Sequence, residues 1–344
     1  MAQKDYITQM RDPGNVLEID GLQTWFYTDA GIVRSVDGIR FDIPAGKVVG
    51  VVGESGCGKS VTGLSLLGLL QKPQGRITGG AIRLNMGSFA YDLTKTPETL
   101  MQTLRGNVIS MIFQEPMTAL NPVMRIGQQI SEVLLLHRED RPSKKQAMDS
   151  AVRLLEAVGI PDPQRVARMY PHNLSGGMRQ RVCIAMALSC NPRLIVADEP
   201  TTALDVTVQA QILTLLRDMK ERSGSAVMFI THDLGVVAQL CDLVVVMYAG
   251  RVVETGTVQE IFHAPTHPYT LGLMASKPVV GKKTDRLYAI GGTVPNPIHL
   301  PKGCYFQSRC QSASADCAEE YPCRIALSPT HTVSCYRQQE ESHG

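Results

Sequence analysis

The stretch GESGCGKS at 53–60 has the residue types and spacing that hold phosphate, G-x-x-x-x-G-K-[ST]. Its glycines let backbone N–H groups turn inward around phosphate oxygens, and a following helix adds the partial positive charge of its N-terminus. Lys59 would reach the β- and γ-phosphates and Ser60 would hold Mg²⁺. The candidate ATP contacts are Gly53, Glu54, Ser55, Gly56, Cys57, Gly58, Lys59, Ser60 and Val61. LIVADE at 194–199 ends in Asp198, a carboxylate for the same Mg²⁺, and Glu199, which can polarise an attacking water. In LSGGMRQR at 174–181, Ser175, Gly176 and Gly177 precede another helix pattern, whose free N–H donors suit a γ-phosphate. The chain thus has two phosphate-binding surfaces but one phosphate loop. Two chains facing head to tail, each completing the other's site, resolve that mismatch.

Such residues need a scaffold of strands ending at a common edge. KVVGVVGE at 47–54 reads as a buried strand that leads into a helix from Lys59 to Leu70. RLIVADEP at 193–200 is a second strand, stopped by Pro200. VTVQAQILTLLRDMKERSG is an amphipathic helix with Asp205 as its cap and Gly224 as its stop. AVMFITHD and LVVVMYAG are further short β-branched strands. The alternation predicts an α/β fold with a mostly parallel sheet covered on both faces. Residues 115–192 are mainly helical and read as an insertion. After about residue 255, Pro, Gly, His and Cys become frequent and periodicity fades, which predicts a separate small unit.

The bulk properties narrow the classes. The 344 residues carry a net charge of +2, so no basic field argues for nucleic acid. The first fifteen residues lack the apolar core of a secretory signal. The longest apolar stretch, AVMFITHDLGVVAQLCDLVVVMYAG, is broken by His232, Asp233 and Asp242, too much polarity for a lone membrane span. An intracellular chain is expected, and clustered cysteines there bind metal more readily than they pair.

With these residues in order, the chain resembles the ATP-binding subunits of ABC transporters over residues 16–255. LSGGM looks like their LSGGQ signature; Met178 departs from it, with a small effect expected because the donors are Ser175 and the glycines. The resemblance implies a small antiparallel β subdomain and a helical subdomain at about 115–192. It also implies roles for further residues. Gln114 in MIFQEP would sense Mg²⁺ and water and contact a membrane subunit. Asp205 in TTALD would lie on the loop that crosses to the partner chain. His232 in FITHD would contact the γ-phosphate, and Phe26 in LQTWFYTD would stack on adenine, with Tyr27 as its rival. Mg²⁺ would then be held by Ser60, Gln114 and Asp198, with Glu199 and His232 catalytic.

MIFQEPMTALNPVMRIGQQI, IFHAPTHPYTLGL and the cysteine tail resemble di- and oligopeptide importer ATPases in particular. That implies two membrane-spanning permease subunits, a second and different ATPase chain, an extracytoplasmic substrate-binding protein, and a peripheral place on the cytoplasmic face of the plasma membrane. The alternative is a soluble iron–sulfur ABC ATPase not engaged in transport.

Residues 303–336 hold Cys304, Cys310, Cys317, Cys323 and Cys335. A segment this poor in large apolar side chains is expected to need a staple, and a metal can provide one. The spacing is neither the close-paired pattern of structural zinc nor a ferredoxin pattern, so the residues alone leave iron–sulfur and zinc in balance. The family resemblance favours a [4Fe–4S] cluster on Cys304, Cys310, Cys317 and Cys335, with zinc as the alternative and Cys323 as the odd member. Cys57, inside the phosphate loop, either replaces a small serine or is a reactive thiol.

Overall fold

The computed structural model describes residues 5–138, 140–202, 204–276 and 288–341, without the side chains of 219–223 and 339–341. Of the predicted N-terminal tail, 1–15, residues 1–4 lie outside this set, as do Ala203 of TTALD and residues 277–287 and 342–344.

Two sheets form the body. The larger has eight strands in the order Ile325–Ala326, Thr332–Val333, Arg251–Thr257, Leu243–Tyr248, Val48–Val52, Ala226–Ile230, Leu194–Asp198, Ile109–Ile112. The five strands from Leu243–Tyr248 to Ile109–Ile112 are parallel to one another, and Arg251–Thr257 runs antiparallel to the first of them. Val48–Val52, Leu194–Asp198 and Ala226–Ile230 are buried at every position, because helices or the second sheet cover both faces. The register pairs Val51 and Asp198 with Ile230, Val246 with Val52, and Ile112 with Ala197. All these strands therefore end along one edge.

The smaller sheet is antiparallel, in the order Ile7–Thr8, Ala90–Asp92, Gly75–Asn85, Asn15–Thr28, Gly31–Pro44. The helix Lys59–Leu67 joins the two sheets, its Leu66 and Leu67 sharing a core with Leu17, Ile39, Val51 and Ile230. Thr24 of the small sheet meets Ser65 of this helix, hydroxyl to hydroxyl at 2.9 Å. The predicted helical insertion contains Pro116–Ala119, Ile126–His137, Lys144–Ala157, Pro163–Ala167 and Gly176–Leu188, packed around Ile130, Leu155, Val182 and Ile184.

The C-terminal extension differs from expectation. The strand Arg251–Thr257 runs across the predicted boundary at 255, and Thr332–Val333 of the tail pairs with it. Tyr269, Tyr305 and Phe306 share a core with Val52, Val246 and Tyr248 of the main sheet. The extension thus borrows the outer face of the nucleotide unit. Its few large apolar residues suffice because they pack on an existing core, so packing as well as any metal holds the tail.

Candidate nucleotide site

The phosphate loop leaves the end of Val48–Val52 and turns into the helix Lys59–Leu67. Two of its glycines are required sterically. Gly53 has φ 154° and a Cβ there would lie 2.2 Å from the Met247 carbonyl; Gly58 has φ 99° and a Cβ would lie 2.3 Å from the Ser35 carbonyl. Gly58 caps the helix without a side chain, so the first N–H groups stay available. Lys59 is buried, and its Nζ donates to the carbonyls of Gly53 at 2.8 Å and Glu54 at 3.0 Å. The ammonium is thereby held within the loop.

Ser60 Oγ donates to Asp198 Oδ1 at 2.9 Å, bringing two oxygen ligands of the kind Mg²⁺ prefers to one point. Burial pushes the Asp198 carboxyl above its ordinary range, opposed by the Ser60 hydrogen bond. Beside it stands Glu199, in the left-handed region at φ 45°, its N–H bonded to the Ile230 carbonyl. Its carboxylate accepts from Gln114 Nε2 at 3.3 Å and Thr202 Oγ1 at 2.8 Å, and lies 3.3 Å from His232 Nδ1. Gln114, Glu199 and His232, predicted from three separate stretches, meet at one carboxylate. Thr202 was missed; its signal was only its place in the sequence after Asp-Glu-Pro. Residues of this cluster could hold Mg²⁺ and align a water.

Ser175 caps Gly176–Leu188, its Oγ accepting from Met178 N at 3.3 Å, and Ser175 and Gly176 are exposed. Met178 packs against the helical core. Among the described residues, no hydrogen bond or ion pair joins this turn to the phosphate loop. Asp205 Oδ1 accepts from Val208 N at 2.9 Å, capping Val206–Ser223 on an exposed turn.

Phe26 and Tyr27 lie on opposite faces of their strand. Phe26 shares the face of Thr24, which touches the phosphate-loop helix, and is half-buried against Gly75. Tyr27 is exposed beneath the Arg76 guanidinium. Glu54 is engaged elsewhere: its N–H donates to Tyr269 Oη at 2.9 Å and its carboxylate accepts from Arg309. Neither partner was predicted, since nothing in the spacing links 54 to 269 or 309.

Cys57 is 1% exposed, and burial pushes its thiol upward despite the nearby Lys59 ammonium. The serine-substitute reading follows, because a buried protonated thiol is a poor nucleophile. A thiol-alkylating reagent at pH 7 should therefore inactivate the native ATPase no faster than a Cys57→Ser variant. Rapid ATP-protectable inactivation of the parent alone would reverse that reading.

Cys304, Cys310, Cys317 and Cys335 line one cavity of about 90 Å³, together with His267 and Tyr336. Cys323 is exposed and does not line it. The Cys304 thiol is pushed up to about 11, by burial first and then by Cys317, Cys335 and Cys310. Among the described residues, no three His, Cys, Asp or Glu side chains stand at the spacing of a single metal ion. His267 is buried and its Nδ1 accepts from Tyr269 N at 3.0 Å, so it caps Pro268–Ala275.

The ABC transporter family matches residues 36–202, and the oligopeptide/dipeptide transporter C-terminal region matches 253–317. The oligopeptide transport ATP-binding protein AppD of Bacillus subtilis is 49% identical over 95% of this chain and 98% of its own length. The oligopeptide transport ATP-binding protein OppD of Salmonella typhimurium is 48% identical over 99% of both chains. This chain belongs to the ATP-binding subunits of oligopeptide and dipeptide ABC transporters. It is an ABC ATPase, and the alternative of a soluble iron–sulfur ATPase finds no support. A dimeric bacterial ABC transporter cassette matches the subunit with TM-score 0.63 at 25% identity, over 70% of this chain and 98% of that one. Among the described residues of the subunit, no helix is long and apolar enough to cross a membrane.

Proposed function

We propose that this subunit powers peptide uptake from the cytoplasmic face of the membrane, through two separate membrane-spanning subunits and with a second ATPase chain as partner. An extracytoplasmic binding protein would deliver the peptide. The observation that carries this reading is the split site. Lys59, Ser60, Asp198, Glu199, Gln114 and His232 gather at one sheet edge, while the Ser175 turn stands exposed at the start of a separate helix. Ser60, Gln114 and Asp198 would hold Mg²⁺, which neutralises phosphate charge. Lys59 holds the γ-phosphate from one chain, and Ser175, Gly176 and Gly177 hold it from the other. Asp205 lies on the crossing loop, and Phe26 is favoured over Tyr27 as the adenine shelf by the face it shares with Thr24. Only contacts that differ between open and closed pairs can drive the cycle, and the γ-phosphate makes that difference. Glu199 aligns water, His232 contacts the γ-phosphate, and hydrolysis reopens the pair.

The isolated chain should be a poor ATPase, and adding permease subunits with a partner ATPase should raise turnover and support ATP-dependent peptide uptake in vesicles. Full turnover by a strict monomer would overturn the head-to-tail site, and an assembled complex that hydrolyses ATP without moving any peptide would overturn the cargo class.

A second reading concerns the tail. Four thiols facing one cavity suit a [4Fe–4S] cluster on Cys304, Cys310, Cys317 and Cys335. Bound there, it would staple the loops and keep the thiolates deprotonated. Anaerobically purified protein should be brown with about four irons per chain, and Cys304→Ser should bleach it while sparing ATP binding. One zinc in colourless protein would replace the cluster, and a metal-free folded tail would remove both.

A further inference from the structure

Arg309 precedes Cys310 in the extension, yet its side chain reaches the phosphate loop. Its Nη1 and Nη2 donate to Glu54 Oε2 and Oε1 at 2.8 and 3.0 Å, a two-pronged pair. The Arg309 side chain is 5% exposed, and its guanidinium lies near the rings of Tyr248 and Phe306, with ring centroids 5.7 and 5.8 Å away. Its remaining donors go to the carbonyls of Gly291 and Ile290 and to Tyr248 Oη. Tyr269, fully buried in the same extension, accepts the Glu54 N–H at 2.9 Å. Glu54 is thus held at both its backbone and its carboxylate by residues that follow it by 215 and 255 positions.

Glu54 is the one acidic residue in GESGCGKS. Polyphosphate arriving in that loop meets its charge, and an unpaired carboxylate there would repel it. We propose that Arg309 and Tyr269 are positioning residues of the ATP site: Arg309 cancels the Glu54 charge and, with Tyr269, fixes the start of the phosphate loop. The C-terminal extension is then a working part of nucleotide binding. This inference rests on reading residues 53–60 as the phosphate loop. It holds whether or not the adjacent cysteines carry a metal.

The test is a double-mutant comparison in the assembled transporter, reading KM for ATP, kcat and the affinity of a fluorescent ATP analogue. Arg309→Met should weaken ATP binding roughly ten- to a hundredfold, the size of a lost charge-assisted contact, with kcat at saturating ATP little changed. Adding Glu54→Gln to Arg309→Met should restore much of that affinity, because the carboxylate left without a partner is gone. A bridge that merely fastened the extension would lower the melting midpoint of Arg309→Met without raising KM for ATP in the assembled transporter. Arg309→Lys, which keeps charge but loses the second prong, should fall between parent and Arg309→Met. Tyr269→Phe should weaken binding without rescue by Glu54→Gln. Should Arg309→Met fail to assemble, Arg309→Lys with and without Glu54→Gln carries the same comparison. Parental KM in the Arg309 variants, or a double variant no better than the single, overturns the proposal. Lys59→Ala is measured alongside: unchanged affinity there overturns the phosphate-loop reading, whereas its loss beside an unaffected Arg309 variant overturns only the clamp.

Discussion

Assembled transporter carrying Glu199→Gln binds ATP and closes, but hydrolyses it about a hundred- to ten-thousandfold more slowly than the parent, the usual contribution of a positioned general base. The geometry favours a clean result. Glu199 sits at φ 45°, a strained conformation set by the backbone and by its N–H bond to Ile230, and a glutamine inherits both. The Gln side chain keeps an acceptor for Thr202 Oγ1, which donates to the native carboxylate at 2.8 Å. What it loses is the charge that draws a proton from water and that His232 Nδ1 approaches at 3.3 Å. Nucleotide retention measured beside steady-state phosphate release separates binding from chemistry. Release at the parental rate would move the general base to another residue.

Lys59→Ala acts earlier in the cycle and weakens ATP binding by roughly a hundredfold, in the range of a charge-assisted contact removed from a buried site. The Lys59 ammonium is buried and already bonded to the Gly53 and Glu54 carbonyls, so the substitution also leaves two acceptors without their donor. Thermal unfolding of the nucleotide-free variant therefore belongs beside the titration. A melting midpoint near the parental value with ATP affinity lost assigns the effect to phosphate binding. Unchanged affinity would place the phosphates elsewhere.

Much of the site was legible in order along the chain. Gln114 and His232 were legible only through the family resemblance, whereas GESGCGKS, LIVADE and LSGGM carry local patterns, because each sits where a strand or helix begins or ends. Asp205 as a helix cap and Gly224 as a helix stop were legible for the same reason. The strands and the helical insertion followed from continuous apolar runs and helical periodicity.

Tertiary structure decided what sequence spacing does not encode. Strand order brought Gln114, Glu199 and His232 to one point, since parallel register aligns strand ends that are far apart in sequence. It turned Phe26 and Tyr27 to opposite faces. It made the extension part of the nucleotide unit, through Thr332–Val333 on Arg251–Thr257 and through Tyr305 and Phe306 in a shared core. It gathered Cys304, Cys310, Cys317 and Cys335 around one cavity while leaving Cys323 outside it. The Arg309–Glu54 pair belongs to the same class. A lone arginine beside a cysteine and a lone glutamate in a glycine loop have no period and no fixed offset, so only the packing of the extension on the sheet could pair them.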